Sequence, residues 1–305
     1  MKTSRDRPLG GAASPCKHRA TLRFERTTMR WNNSLLLAFS TIALLAGPAL
    51  PIRADILDFN DWTRVEDPAD PNFTSLVISP TEVQLLAGDG PVASGTDIGY
   101  QSVDGPTAAA STAGYAFSPA ADFTVAIDFS LAFQTSGNVG GLAIGFGIGE
   151  DRGGTNSAGA VLLSQNGSFA LSPVFGAAAR VNDVTQTPKL ILLAAQSSGS
   201  FFAAYDAASG DVTLGVGGAG AASPTATATY AGIANQWNGD WLFPAFFLRS
   251  DAVLAQAWTS GGADARFTNF RVLSGEPVAV PEPGVLTMLV LGGLSLALAR
   301  RRPGP

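Results

Sequence analysis

Residues 122–133, Asp-Phe-Thr-Val-Ala-Ile-Asp-Phe-Ser-Leu-Ala-Phe, decide the fold class. Phe123, Val125, Ile127, Phe129, Leu131 and Phe133 alternate with Asp122, Thr124, Ala126, Asp128, Ser130 and Ala132. A period of two sends neighbouring side chains to opposite faces of a strand, so one face is core and the other is polar or lightly covered. A Gly/Asn turn at Ser136-Gly137-Asn138 follows, then Gly141 to Gly149, where Leu142, Ile144, Phe146 and Ile148 alternate with Gly and Ala. The two segments read as a long antiparallel hairpin.

Working outward, further strands are expected at 55–59, 73–78, 81–86, 97–103, 158–164, 168–175, 189–195, 200–206, 210–216, 242–249, 253–258 and 266–273. Lys189–Ala195 and Trp241–Leu248 are apolar on both faces, as central strands would be. Gly217 to Thr229 is low-complexity Gly/Ala/Thr and reads as a loop. No stretch between 55 and 274 carries a capped, amphipathic helical period. Many short strands at this spacing mean an all-β, jelly-roll-type β-sandwich over 55–274.

Composition excludes several chemistries. Residues 55–283 hold seven Lys/Arg against 22 of the chain's 24 acids, a net charge of −15. Nucleic-acid binding needs the opposite sign. The single cysteine, Cys16, and the single histidine, His18, lie upstream of residue 55. The β domain therefore has no Ser-His-Asp or Cys-His catalysis, no thiolate or imidazole metal site and no disulfide of its own. Asp and Glu remain. Asp122 and Asp128 share a strand face but stand roughly 20 Å apart, beyond the about 5 to 9.5 Å that separates glycosidase carboxylates.

Three groups of residues are candidate sites. Glu150-Asp151-Arg152-Gly153-Gly154-Thr155-Asn156 offers carboxylates and an amide oxygen in a loop. Glu150, Asp151 and Asn156 are the ligands it would give to Ca²⁺, or the loop is a solvated turn. Tyr230, Trp237 and Trp241 lie near Asn235, Asn238 and Asp240, which is the composition of a glycan site or of core and loop anchors. The glycine face of 141–149 would let a ligand or another backbone approach closely. Trp62 and Trp258 are expected in the core.

Both ends of the chain carry targeting features. Arg30 precedes an apolar run, Leu35–Leu50, with a candidate cleavage site between Ala54 and Asp55. Residues 1–54 thus read as leader and signal peptide for the export machinery, with Met29 favoured as the true start. At the other end, Val280-Pro281-Glu282-Pro283-Gly284 leads into the uncharged stretch 285–299, which stops at Arg300-Arg301-Arg302. The prolines keep 275–284 an extended, exposed linker. As a helix the apolar stretch is roughly 22 Å long, short of the ~30 Å hydrocarbon core, and snorkelling arginines would help it span. Residues 285–305 are accordingly expected to form one transmembrane helix with a cytoplasmic basic stop.

That tail resembles the PEP-CTERM sorting signal of Gram-negative bacteria, also catalogued as the ice-binding protein C-terminal domain. The resemblance covers about the last 26 residues. It implies recognition by an exosortase-like membrane protease, cleavage near Pro281-Glu282-Pro283 and delivery to the cell surface or exopolysaccharide matrix. Residues 55–274 resemble, in the order of their elements, the concanavalin A-like lectin/glucanase jelly roll. In that architecture Leu57-Asp58-Phe59 would pair with the closing strand 266–272, and Phe201–Asp206 with Val212–Leu214 would form the central hairpin. The Glu-x-Asp-x-x-Glu run of the glucanase relatives is missing. The expected role is therefore non-catalytic, a glycan-binding or structural surface protein. A glycoside hydrolase or lyase on the same fold is the alternative.

Overall fold

The computed structural model describes residues 56–167, 174–192, 196–252 and 256–280. All of them belong to one of two compact units of the chain, Arg53–Pro305. The strands in chain order are β1 (Thr63–Asp67), β2 (Phe73–Ser79), β3 (Glu82–Ala87), β4 (Asp97–Gln101), β5 (Tyr115–Ala116), β6 (Phe123–Phe133), β7 (Gly141–Gly149), β8 (Ser157–Gln165) and β9 (Val174–Val181). They continue with β10 (Val184–Thr185), β11 (Lys189–Leu192), β12 (Ser198–Asp206), β13 (Asp211–Gly217), β14 (Ala226–Tyr230), β15 (Phe243–Ser250), β16 (Ala263–Ser274) and β17 (Val278–Ala279).

Two antiparallel sheets form a jelly-roll-like sandwich. One has eight strands in the order β1-β4-β15-β7-β8-β9-β10, with β11 also on β9. The other has seven, β14-β13-β12-β6-β16-β3-β2. The alternation in β6 works as expected, because Phe123, Val125, Ile127, Phe129 and Leu131 are all buried in the main core. From the facing sheet Leu142, Ile144, Phe146 and Ile148 enter the same core. Aromatic rings cement it within and between layers. Phe129 stacks on Phe201 at 4.2 Å, and Phe246 of one sheet stacks on Phe267 of the other at 4.4 Å. Trp62 and Trp258 are buried.

The expected hairpin does not form. β6 pairs with β12 and β16, whereas β7 pairs with β15 and β8. The chain crosses between layers at 134–140, so the two apolar faces meet across the core. Period two says which side of a strand is buried, and says nothing about which strand lies beside it. By contrast β12 and β13 are the hairpin that was expected, with Ala203 opposite Leu214.

Other expectations are corrected by local chemistry. Residues 57–59 are not a strand, because the Asp58 side chain accepts from the Asn60 N–H at 2.8 Å and caps a short 3-10 turn, Phe59–Asp61. The closing strand β16 pairs instead with β3 and β6. Ala226–Tyr230, expected to be loop, is β14. Its Ala226, Ala228 and Tyr230 stand opposite Val216, Leu214 and Val212, a period-two pattern disguised by weakly apolar residues. Among the described residues β11 is a short strand paired with β9 alone, and its Leu190 is exposed. Of the expected strand 168–175, residues 168–173 lie outside the described residues and β9 runs on to Val181. Residues 253–255 also lie outside them, and Ala257 makes only an isolated bridge to Gly141.

Candidate functional site

The glycine face of β7 turns outward, away from the core. Its neighbours follow from the register. Phe247 on β15 stands between Gly99 and Gly145, and Gly145 in turn faces Val161. In the next row Arg249 lies between Asp97 and Ala143, with Asp67 opposite Asp97. The row on the other side is Gln101, Ala245, Gly147 and Gly159.

A Cβ on Gly145 would come within 2.5 Å of Phe247 Cζ, so the phenyl ring lies over the glycine. Only glycine leaves room for that. The Arg249 guanidinium carbon sits 5.3 Å from the ring centroid, and Arg249 Nη2 donates to Asp251 Oδ2 at 2.7 Å. A half-buried aromatic ring therefore rests on a floor of Gly and Ala, with the Arg249 guanidinium over it and carboxylates beside it. One end of this face is closed by a small apolar cluster, Val103, Ala108, Ala116 and Phe243. At the other end the chain crosses at Asp251, whose carbonyl lies 2.1 Å from where a Gly141 Cβ would be.

Asp97 is the perturbed acid of this face. Burial is the main cause and raises it, Arg249 opposes, and Asp67 adds to the rise, leaving the carboxyl pushed up to about 6 from 3.8. Like charges directly opposite on neighbouring strands disfavour double ionisation.

The structure brings Glu150, Asp151 and Asn156 together, but their oxygens hold the loops. Glu150 is 2% exposed. It accepts from Asn156 Nδ2 at 2.9 Å, from the Asn238 N–H at 2.9 Å and from the Asp240 N–H at 2.8 Å. Asn156 Oδ1 accepts from the Asn182 N–H at 2.7 Å, and Asp151 accepts from the N–H groups of Thr155 and Asn156. The Glu150 carboxylate ties its own loop to residues 238–240, and Asn156 ties it to residue 182. Among the described residues no group of three or more Asp, Glu, His or Cys is placed to hold a metal ion.

The aromatic trio does not assemble as one open face. Tyr230 is buried, with its hydroxyl 2.9 Å from the Ala177 carbonyl and 3.1 Å from that of Thr187. Trp237 is buried and its Nε1 donates to the Arg180 carbonyl at 3.1 Å. Trp241 alone stays open, at 38% exposed.

On the outer face of the seven-stranded sheet, Asp128 accepts from the Ser200 hydroxyl, from the Gly220 N–H at 3.0 Å, from Asn269 Nδ2 at 3.2 Å and from Arg271 Nη2 at 2.9 Å. Burial pushes its carboxyl up, but these hydrogen bonds outweigh burial and hold it below 3.8. Arg271 Nη2 also lies 3.4 Å from the Ala221 carbonyl. Residues 218–225 are thus strapped down over Gly215 and Gly217.

Val280 is half-buried on the small apolar cluster, and its N–H donates to the Gly114 carbonyl at 2.9 Å. The end of the expected linker is therefore tied to the sandwich, with β17 paired to β5. Ala54, Asp55, Pro281, Glu282, Pro283, Gly284 and Arg300–Arg302 lie outside the described residues. Within those residues no helix is long and apolar enough to cross a membrane.

Phe247, Arg249, Asp97 and Asp251 were not singled out from sequence. Phe246-Phe247 read as a both-faces-buried run, which hid the outward direction of Phe247. The glycines at alternate positions of β7 were the one legible signal.

No protein-family model matches the chain. No curated protein matches it either. Solved structures with a loosely similar course include the Bacteroides ovatus xyloglucan-locus protein GH43B, at 16% identity, TM-score 0.42, over 73% of this chain and 39% of that one. Another is the alginate lyase from Klebsiella pneumoniae, at 10% identity, TM-score 0.46, over 72% and 96%. A third is the legume lectin-like domain from Entamoeba histolytica, at 10% identity, TM-score 0.38, over 72% and 97%. The likeness is loose, and the architecture rests on the strand pairings above.

Proposed function

We propose that this is an exported, non-catalytic glycan-binding module of the cell surface or matrix, built on a concanavalin A-like jelly roll. The observation that carries the reading is the Phe247 ring laid over Gly145 on the outer face of the eight-stranded sheet. Sugar rings present apolar C–H faces and a rim of hydroxyls. The aromatic ring takes the first, and the Arg249 and Asp97 side chains take the second, with buried Asp251 holding Arg249 in place. The partner is an exopolysaccharide, and the surplus of acids disfavours nucleic acid. Calorimetric titration of the purified chain with a panel of bacterial exopolysaccharides tests this. Phe247→Ala should weaken the best ligand about tenfold, or ~1.4 kcal/mol. Binding unchanged by Phe247→Ala, or no binding by any polysaccharide, would sink the proposal.

A second reading, a polysaccharide hydrolase or lyase, is favoured by one observation. A carboxyl held at about 6 beside a second carboxylate is suited to proton transfer near neutral pH. New reducing or unsaturated ends, abolished by Asp97→Asn with binding retained, would favour it.

The tail supports delivery by the export machinery and an exosortase-like membrane protease, with the chain held at the inner membrane by residues 285–305 until it is processed. Replacing Pro281-Glu282-Pro283 with alanines should stop processing and surface release. Unchanged release would overturn the sorting proposal.

A further inference from the structure

Among the described residues the two sheets end in β1, in β10 and β11 (both on β9), in β14 and in β2, and all but β2 are protected. β1 carries Arg64, Glu66 and Asp67. β10 is two residues long. The outer strands β11 and β14 lie against each other, and the Lys189 Nζ of β11 donates to the Thr229 carbonyl of β14. β2 is different. Phe-Thr-Ser-Leu-Val-Ile-Ser has seven residues, no charge and no proline. Leu76 is 57% exposed and Ile78 is 44% exposed. Long, uncharged, apolar edges are what soluble proteins ordinarily avoid.

The backbone of β2 is set for pairing. The Gly88 N–H donates to the Asn72 carbonyl, which turns residue 72 toward β3. Alternation then turns Thr74 and Leu76 toward β3, and the N–H and C=O of Ser75 and Val77 toward the open edge. The Ser75 hydroxyl points inward, 3.2 Å from the Tyr100 hydroxyl, so it does not occupy that edge. The neighbouring charges are already matched, because Arg266 bridges Glu82 at 2.7 Å and Asp264 at 3.1 Å.

We propose that β2 is a self-association edge, and that its occupant is β2 of a second copy of this chain, antiparallel about a two-fold axis at Leu76. The strand is its own complement in that register. Ser75 of one copy exchanges both backbone hydrogen bonds with Val77 of the other, and Val77 with Ser75. Leu76 then faces Leu76 in a non-hydrogen-bonded pair, where side chains approach most closely. A two-fold pairing places the same patch on both copies and closes, so it makes a dimer and not a fibre. In a molecule this acidic, a charge-free edge is where two copies meet with least repulsion. The seven-stranded sheets become one continuous sheet, and the Phe247 faces stay free on the other layer.

Sedimentation equilibrium of the full-length chain over a dilution series tests this. The wild type should be a dimer that dissociates on dilution. Leu76→Lys and Leu76→Glu, each at an exposed position, should be monomeric when alone and should dimerise when mixed, because residue 76 faces residue 76. A monomeric wild type overturns the proposal, whether residues 1–55 or nothing occupies the edge. A dimer that persists in both single variants overturns it by placing the interface elsewhere. Loss of the dimer without recovery on mixing overturns the Leu76 axis. Circular dichroism of each variant guards against a folding defect, and the mixing arm gives a positive signal that misfolded chains cannot produce.

Discussion

Replacing Asp128 with alanine should cost this domain about 3 to 4 kcal/mol. The Asp128 side chain is 9% exposed and that of Arg271 is 24% exposed, so the substitution leaves a half-buried guanidinium without its carboxylate. It also strips the acceptor from Ser200, Asn269 and the Gly220 N–H. For a domain of this size each kcal/mol moves the melting temperature by about 2 to 4 °C, so a fall of about 10 °C is expected. The urea midpoint should fall with an unchanged slope. Asp128→Ala with Arg271→Ala should be milder than the sum of the two single changes, because removing both charges leaves no uncompensated ion. Proteolysis should become selective for the strap at 218–225, whose anchor is gone. The wild-type contribution is present above the unfolded value near 3.8, because the folded carboxyl titrates lower. It fades as pH falls through the folded value. A shift under about 0.5 kcal/mol, the usual effect of a surface change, or strictly additive single changes, would refute the account of this network.

Asp97 should behave in the opposite way. A carboxyl raised in the folded state holds its proton more tightly when folded, so its contribution is intact below about 3.8 and is lost as pH climbs through about 6. The interval corresponds to at most about 3 kcal/mol, and less at this half-buried site because solvent screens it. Asp97→Asn should therefore stabilise the chain at pH 7 and leave it unchanged near pH 3, read by thermal denaturation; equal effects at both pH values would contradict this. Glu150→Ala should cost about 3 kcal/mol, because the buried Asn156 amide and the N–H groups of Asn238 and Asp240 lose their acceptor. Since those oxygens are already engaged, Ca²⁺ followed by EDTA should leave the wild-type melting temperature unchanged. A calcium-dependent rise would show that Glu150, Asp151 and Asn156 are metal ligands after all.

The residues themselves determined the class of this fold. Period two in 122–133 and 141–149 is a local property of the backbone, so the faces that would be buried were legible without any partner. So were the absence of His and Cys from the β domain, the acidic charge, the strands at 200–206 and 210–216, and the core positions of Trp62 and Trp258. The tertiary structure decided what depends on neighbours. Alternation does not say whether β6 and β7 pair side by side or face each other, because both arrangements bury the same residues. It does not say that Ala226 and Ala228 are inward enough to make β14, nor that the capping power of Asp58 defeats a strand at 57–59. The site shows the same division. Glu150 and Asn156 have the composition of a metal loop, yet their oxygens are spent on backbone N–H groups brought in from residues 182, 238 and 240. Tyr230 and Trp237 have the composition of a sugar platform, yet they face the core. The aromatic ring that does face outward is the half-buried Phe247 over Gly145, two residues on different strands about a hundred positions apart. Only strand register, fixed by the packing of the whole sandwich, lays one over the other.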